Sequence, residues 1–258
     1  MTSSVIDPEL HAASGHESTR GDMHVPFHAA DDDGAPLSGC VFMTGGPRDA
    51  LPHAVGLLRR LRELGSRHPA VLAVASGDAT HARTLVSRRT ARVMRTDAFP
   101  RPPGGGARQP RSLDLLNVLG APFRRVVWLS PEVLPRRNLD DLCALNESAL
   151  YATAAQPRRC FDDALARSTP RLCAACAAAD ECRYELDGRV LVAAPLSISA
   201  FNEEVVAPVT SGALVGVGSG GAAAEALNAL VYARGLFGGR AARMPAGLSR
   251  LVRWEKER

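Results

Sequence analysis

Lysine is almost missing from this chain: of 31 basic residues only Lys256 is one, and the rest are arginine. Aromatic residues are scarce at 5% and do not interleave with the basic ones. A stacking surface for single-stranded nucleic acid needs that interleaving, so no nucleic-acid partner is expected. The arginine bias and the alanine-rich runs fit GC-rich coding instead. A run able to span a membrane is also lacking. The stretch of lowest charge, GALVGVGSGGAAAEALNALVYA, is interrupted by glycines and Ser219 and carries Glu225. The start, MTSSVIDPELHAASG, has neither a basic segment nor an apolar one, so no secretory signal is visible. A cytoplasmic location is expected, or a secretory-pathway lumen if the chain is truncated at its N-terminus. Finally, no histidine follows His81, which leaves the last two-thirds of the chain without an imidazole ligand.

What is present is the composition of a soluble globular protein: 258 residues, 46% hydrophobic and 22% charged, with a formal net charge of +4. Residues 1–38 hold the acidic run Asp31-Asp32-Asp33, many small residues and no apolar period, and read as a disordered N-terminal arm. From residue 39 to 258 strand and helix patterns alternate. GCVFMTG, AVLAV, ARVMR, FRRVVWL, ALYATAA and RVLVAA are apolar, strand-length runs. Between them, Ala54, Leu57, Leu58, Leu61 and Leu64 space one face of a helix entered at Pro52. A short Arg-rich helix is predicted near 79–88, another from Ser112 to Gly120, and two more near 197–207 and 222–235. This order predicts a single-domain α/β fold: a mostly parallel sheet with helices on both faces. In such sheets ligands bind at the carboxyl ends of the strands.

Four of the six cysteines (Cys160, Cys173, Cys176 and Cys182) fall in a segment, 155–185, that reads as an insertion. It carries free thiols or one local disulfide, or else a structural zinc in which Cys160 and Cys182 complete the C-x-x-C pair. Gly216-Val-Gly218-Ser-Gly-Gly221 is formally G-x-G-x-x-G. No acidic residue stands about 20 positions on, as a dinucleotide site requires, so it reads as a glycine loop ahead of a helix.

Four ordered segments carry a more specific signal. TGGPRDALPHAVGLLRRLRELGSRHPAVLAV, FRRVVWLSPEVLPRRNLDDLC, DGRVLVAAPLSISAFNEEV and AAEALNALV resemble, in order and spacing, segments of the family 8 glycosyltransferases, the glycogenin-like group. The resemblance runs from about Cys40 to Tyr232. It implies a GT-A, Rossmann-like fold and retaining transfer of a hexosyl group from a nucleotide sugar, a UDP-sugar, to a sugar, polyol or protein hydroxyl. The family's Asp-x-Asp, which holds a divalent cation (commonly manganese) on the donor diphosphate, falls on Ser130-Pro131-Glu132. The resemblance therefore assigns Glu132 to metal or diphosphate, Ser130 to ribose or a metal-bound water, and Thr44 and Gly45 to the uridine-facing backbone. It places Asp187 on the acceptor side and matches Asn228 to a family asparagine of the catalytic region. Arg136, Arg137, Arg189 and Arg243 are candidates for a metal-free phosphate clamp, since guanidinium groups are planar bidentate donors. One carboxylate of the pair is gone, and with it the metal-binding histidine. The alternative expectation is thus a catalytically inactive relative acting as a binding or scaffolding module.

Overall fold

The computed structural model describes residues 23–29, 39–100, 111–146, 150–154, 159–160, 171–172, 186–211, 223–239, 241–243 and 252–254. Twelve strands run in chain order: β1 Phe27–Ala29, β2 Cys40–Gly45, β3 Ala70–Ala75, β4 Arg92–Thr96, β5 Arg125–Leu129, β6 Val133–Pro135, β7 Leu150–Ala154, β8 Arg159–Cys160, β9 Arg171–Leu172, β10 Leu186–Ala193, β11 Ala241–Arg243 and β12 Val252–Trp254. Eight of them form one sheet in the order β1-β4-β3-β2-β5-β10-β7-β11. The central strands β4, β3, β2 and β5 are parallel. Beyond β5 the sheet turns antiparallel through β10 and β7, and β11 returns parallel to β7. The sheet is therefore mixed, with its parallel half built from the first four strand patterns that the sequence shows.

Helices cover both faces, and strand alternation decides which residues meet them. Phe42, Leu72, Val127 and Val190 point to the layer of α1 (Leu51–Glu63) and α2 (Ala79–Leu85). Val41, Met43, Val71, Val126 and Leu191 point to the opposite layer. That layer holds the 3-10 helix Arg111–Gly120, the helical stretch 198–210 (α3) and the stretch 223–233 (α4). In α1, Leu51, Ala54, Val55, Leu57, Leu58 and Leu61 are all buried, the three-and-four spacing of an amphipathic helix. It stops at Gly65, whose φ of +80 suits a residue without Cβ. There Gly65 N donates to Arg62 O at 2.9 Å and Ser66 N to Leu61 O at 3.0 Å, the paired closure of a Schellman turn.

One expectation gives way. Within the segment read as a disordered arm, residues 23–29 lie along the sheet edge, with Phe27 opposite Thr96 and Ala29 opposite Met94. Asn202 supplies the anchor. Its Nδ2 donates to His24 O at 2.9 Å, and its Oδ1 accepts from His24 N at 2.8 Å. The isolated sequence of the arm has no apolar period, so an anchor 178 residues away was invisible in it. The rest of 1–38 lies outside the described residues, as does most of 155–185. Of that insertion only β8 and β9 are described, and they pair antiparallel. The glycine loop at 216–221 is likewise outside them.

Candidate functional site

The parallel strands β2, β3, β4 and β5 end together at one edge, and two of the ends are unusual. At the end of β2, Thr44 and Gly45 are fully enclosed. A Cβ on Gly45 would stand 2.2 Å from Ala73 O, so β2 and β3 approach at a distance only glycine permits. Gly46 follows, half-buried, and a Cβ there would stand 3.3 Å from Ala50 Cβ and 3.6 Å from Pro131 Cγ. The Gly45-Gly46 backbone therefore runs directly beside the Ser-Pro-Glu stretch. Thr44 has 0% exposure and its Oγ1 finds no hydrogen-bond partner, an orphaned polar atom under the strand end.

At the end of β5, Ser130-Pro131-Glu132 is a reverse turn. Ser130 O accepts from Val133 N at 2.9 Å, with Pro131 at the position whose φ it pre-sets. Ser130 Oγ takes a long contact, 3.5 Å, from Glu132 N. The turn reverses the chain into β6, which pairs with β12. The glutamate carboxylate stands exposed at its tip. Across the turn, Ser130 N donates to Arg189 O at 2.8 Å, which carries the β5–β10 ladder one step past Leu129. The Arg189 backbone is thereby fixed next to Ser130. It follows Gly188, whose φ of +70 lies in a bulge of β10 where the pairing with β7 shifts register.

The structure brings Thr44, Gly45, Ser130 and Glu132 to one edge. Gly46 joins them, and the only sequence sign of it was the Gly-Gly pair that closes the first strand. Asp187 lies in the same bulged start of β10, and its backbone alone is described. Asn228 is elsewhere, buried beneath Leu186, with its carboxamide on the Leu186 backbone. Of the other clamp candidates, Arg136 and Arg137 are exposed after β6, and the side chain of Arg243 lies outside the described residues.

The stretch after the turn leaves this edge. Asn138 Oδ1 accepts from Asp140 N at 2.6 Å, and the Asp140 carboxylate then takes Ser66 Oγ at 2.7 Å and Arg67 N at 3.1 Å. Burial raises the Asp140 carboxyl, but the hydrogen bonds from Ser66, Arg67 and Asn138 and the charge of His68 outweigh it. The net effect holds the group below the ordinary carboxylate value. Asn138 and Asp140 thus fasten the chain to the opposite, amino edge of the sheet.

Do these residues suit the divalent cation that the resemblance implies? A hard cation wants several oxygen ligands, usually more than one carboxylate. At the turn, Glu132 is the one acidic side chain between residues 128 and 139, and it is exposed. Among the described residues, the one grouping of three His, Cys, Asp or Glu ligand atoms is Cys40, His68 and Cys143, which does not include it. Among the described side chains, the donor set at this edge does not fit a cation cage. The Gly46 backbone and the Arg189 backbone do lie beside the Ser-Pro-Glu turn, and N–H and guanidinium groups are donors of the kind that suit an anion.

Comparisons with known proteins agree with this architecture. No family model and no curated protein sequence matches the chain. Solved structures do. The glycosyltransferase GlyE of Streptococcus pneumoniae superimposes over 83% of this chain and 47% of its own, with a TM-score of 0.50 at 11% identity. The bifunctional glycosyltransferase WbbM superimposes over 84% and 40%, with a TM-score of 0.51 at 11% identity. An active-site mutant of LgtC does so over 80% and 73%, with a TM-score of 0.52 at 12% identity. The chain spans about half the length of GlyE and less of WbbM. With its mixed sheet, its two helical layers and these neighbours, the chain has the GT-A, Rossmann-like fold of glycosyltransferases.

Proposed function

We propose that the protein is a glycosyltransferase that binds a UDP-sugar at the carboxyl edge of β2 and β5 and passes its hexosyl group, with retention, to a hydroxyl of a sugar, polyol or protein. The observation that carries this reading is the meeting of Gly45-Gly46, Ser130-Pro131-Glu132 and Arg189 at one edge of a GT-A sheet. In the proposed arrangement the diphosphate lies against the Gly45 and Gly46 backbone, and the Arg189 guanidinium offsets its charge. Ser130 faces the ribose, Glu132 accepts from a hydroxyl of the donor, and Asp187 faces the acceptor. In the reaction the bond from the anomeric carbon to the diphosphate oxygen breaks and a bond to the acceptor oxygen forms, while the proton of the acceptor hydroxyl passes to the departing diphosphate oxygen. The charge that grows on the leaving diphosphate is what an enzyme must stabilise, and losing such stabilisation costs several kcal/mol of barrier. Because the described carboxylates do not form a cation cage, this function is assigned to arginine and backbone donors, and binding is expected to be insensitive to manganese.

One observation favours a second reading, a non-catalytic module that binds a nucleotide sugar without turning it over: the turn that replaces Asp-x-Asp keeps a single, exposed carboxylate. Release of UDP from UDP-glucose and UDP-galactose, with and without manganese, separates the two. Turnover lost in Glu132→Ala and Arg189→Ala supports the transferase. Tight UDP binding with no release in any condition supports the module, and absence of both sinks the site.

A further inference from the structure

The amino edge of the sheet, which the proposed function leaves unused, carries a second cluster. Cys40 opens β2, His68 stands just before β3, and Cys143 lies in the 3-10 turn Asp140–Ala144. Cys40 and Cys143 form a disulfide across 103 residues of sequence, with Cα atoms 5.8 Å apart. A ring nitrogen of His68 lies within 4.8 Å of both sulfurs, and all three side chains are half-buried. The imidazole sits edge-on to Phe42, ring centres 6.2 Å apart, which limits where it can turn. Two sulfurs and one imidazole converging on one point are a soft ligand set of the kind that selects zinc rather than a hard cation.

We propose that reduction of the Cys40–Cys143 bond turns this cluster into a zinc site, with the two thiolates and the His68 imidazole as protein ligands and a fourth position left to water. The frame does not depend on the disulfide. Asp140 holds Ser66 and Arg67, next to His68, onto the segment that carries Cys143. The buried Arg125 donates from Nη1 to Cys143 O at 3.5 Å and to Leu145 O, fixing the exit of the same turn. Cys40 stays in register with Arg125 through the β2–β5 pairing. When the bond is cut, the three ligands therefore stay together, and rotation of the side chains lets the sulfurs part around an ion.

The chemistry closes in both directions. A dithiol reductant gives two electrons and two protons to the disulfide and leaves as its own disulfide. Zinc then displaces the two thiol protons. In reverse, an external disulfide accepts two electrons from the thiolate pair and leaves as two thiolates, the Cys40–Cys143 bond re-forms, and the ion is released. One place in the fold thus holds either a covalent bond or an ion, according to the surrounding thiol balance.

Cobalt(II) is the probe, because thiolate ligation gives it a near-ultraviolet charge-transfer band. The full chain carrying Cys160, Cys173, Cys176 and Cys182 each replaced by serine is reduced with dithiothreitol, desalted without oxygen and titrated with cobalt, then back-titrated with zinc. One equivalent with a two-thiolate band, absent from the oxidised chain, is expected. His68→Ala leaves the disulfide possible but should weaken zinc by more than the roughly 10–100-fold that outer partners contribute. Should the serine background fail to fold, Cys40→Ser and Cys173→Ser in the otherwise native chain give the same test, and only the first should lose the His68-dependent equivalent. No band on reduction, or equal zinc affinity with and without His68, overturns the proposal.

Discussion

Asn228 holds the backbone of Leu186 with both ends of its carboxamide: Oδ1 accepts from Leu186 N at 2.9 Å and Nδ2 donates to Leu186 O at 3.0 Å. Leu186 is the first residue of β10 and pairs with Ala154 of β7, just ahead of the bulge where the register shifts. The clamp ties α4 to the strand that carries Arg189. Asn228→Ala leaves two buried backbone groups without this partner and should cost about 1–3 kcal/mol. The urea midpoint should fall with the slope unchanged. An unchanged midpoint would show that the clamp contributes nothing.

Two glycines should respond to the same substitution with opposite sign. Gly45→Ala drives a Cβ to 2.2 Å from Ala73 O, so β2 and β3 must part at the candidate site. A loss of about 1–3 kcal/mol or more is expected, together with weaker nucleotide binding. Gly56 is in the middle of α1, exposed, with nothing within 4 Å of an added Cβ. Gly56→Ala should stabilise by about 0.5–1 kcal/mol. Thermal melts of the two variants beside the parent check both signs.

The Asp140 carboxyl is held below the ordinary value of 3.8, so its stabilising effect is present at neutral pH and disappears as the pH falls through its folded-state value. Asp140→Asn should remove part of that pH dependence. Urea midpoints followed from neutral pH to well below 3.8 should converge for the two proteins on the acid side. Curves that stay parallel over the whole range would place the acid sensitivity in other groups.

Cleaving the disulfide at Cys143 should be costly even where the frame survives, because the bond closes a loop of 103 residues. Cys143→Ser, or dithiothreitol without added metal, should lower stability by about 2–5 kcal/mol. Equal melting temperatures in oxidised and reduced protein would mean that the bond does not form in solution.

Much of the fold was legible in sequence because its elements are locally consistent. The apolar runs at 70–74 and 126–129 have no polar interruption, and the α1 pattern ends in a glycine that closes it. The elements that escaped depend on distant partners. Residues 23–29 are ordered by Asn202 and β4, neither of which their own composition signals. The antiparallel half of the sheet follows from where β10 inserts between β5 and β7, and strand patterns carry no direction. At the site, the sequence showed that a strand ends on Ser-Pro-Glu. It did not show that these residues close a reverse turn, or that Asn138 and Asp140 beyond it belong to the opposite edge. The pairing of Cys40 with Cys143 was equally hidden, since 103 residues of sequence separate them and no local spacing joins them.

In the proposed function the edge formed by Gly45, Gly46, Ser130, Glu132 and Arg189 receives the diphosphate of a nucleotide sugar without a metal cage. Isothermal titration of UDP into the folded chain, with manganese and with a chelator, tests it most directly. Saturable binding that is alike in both conditions and at least about tenfold weaker in Arg189→Ala is predicted. Binding that appears only with manganese, or none at all to a chain shown to be folded, would contradict it.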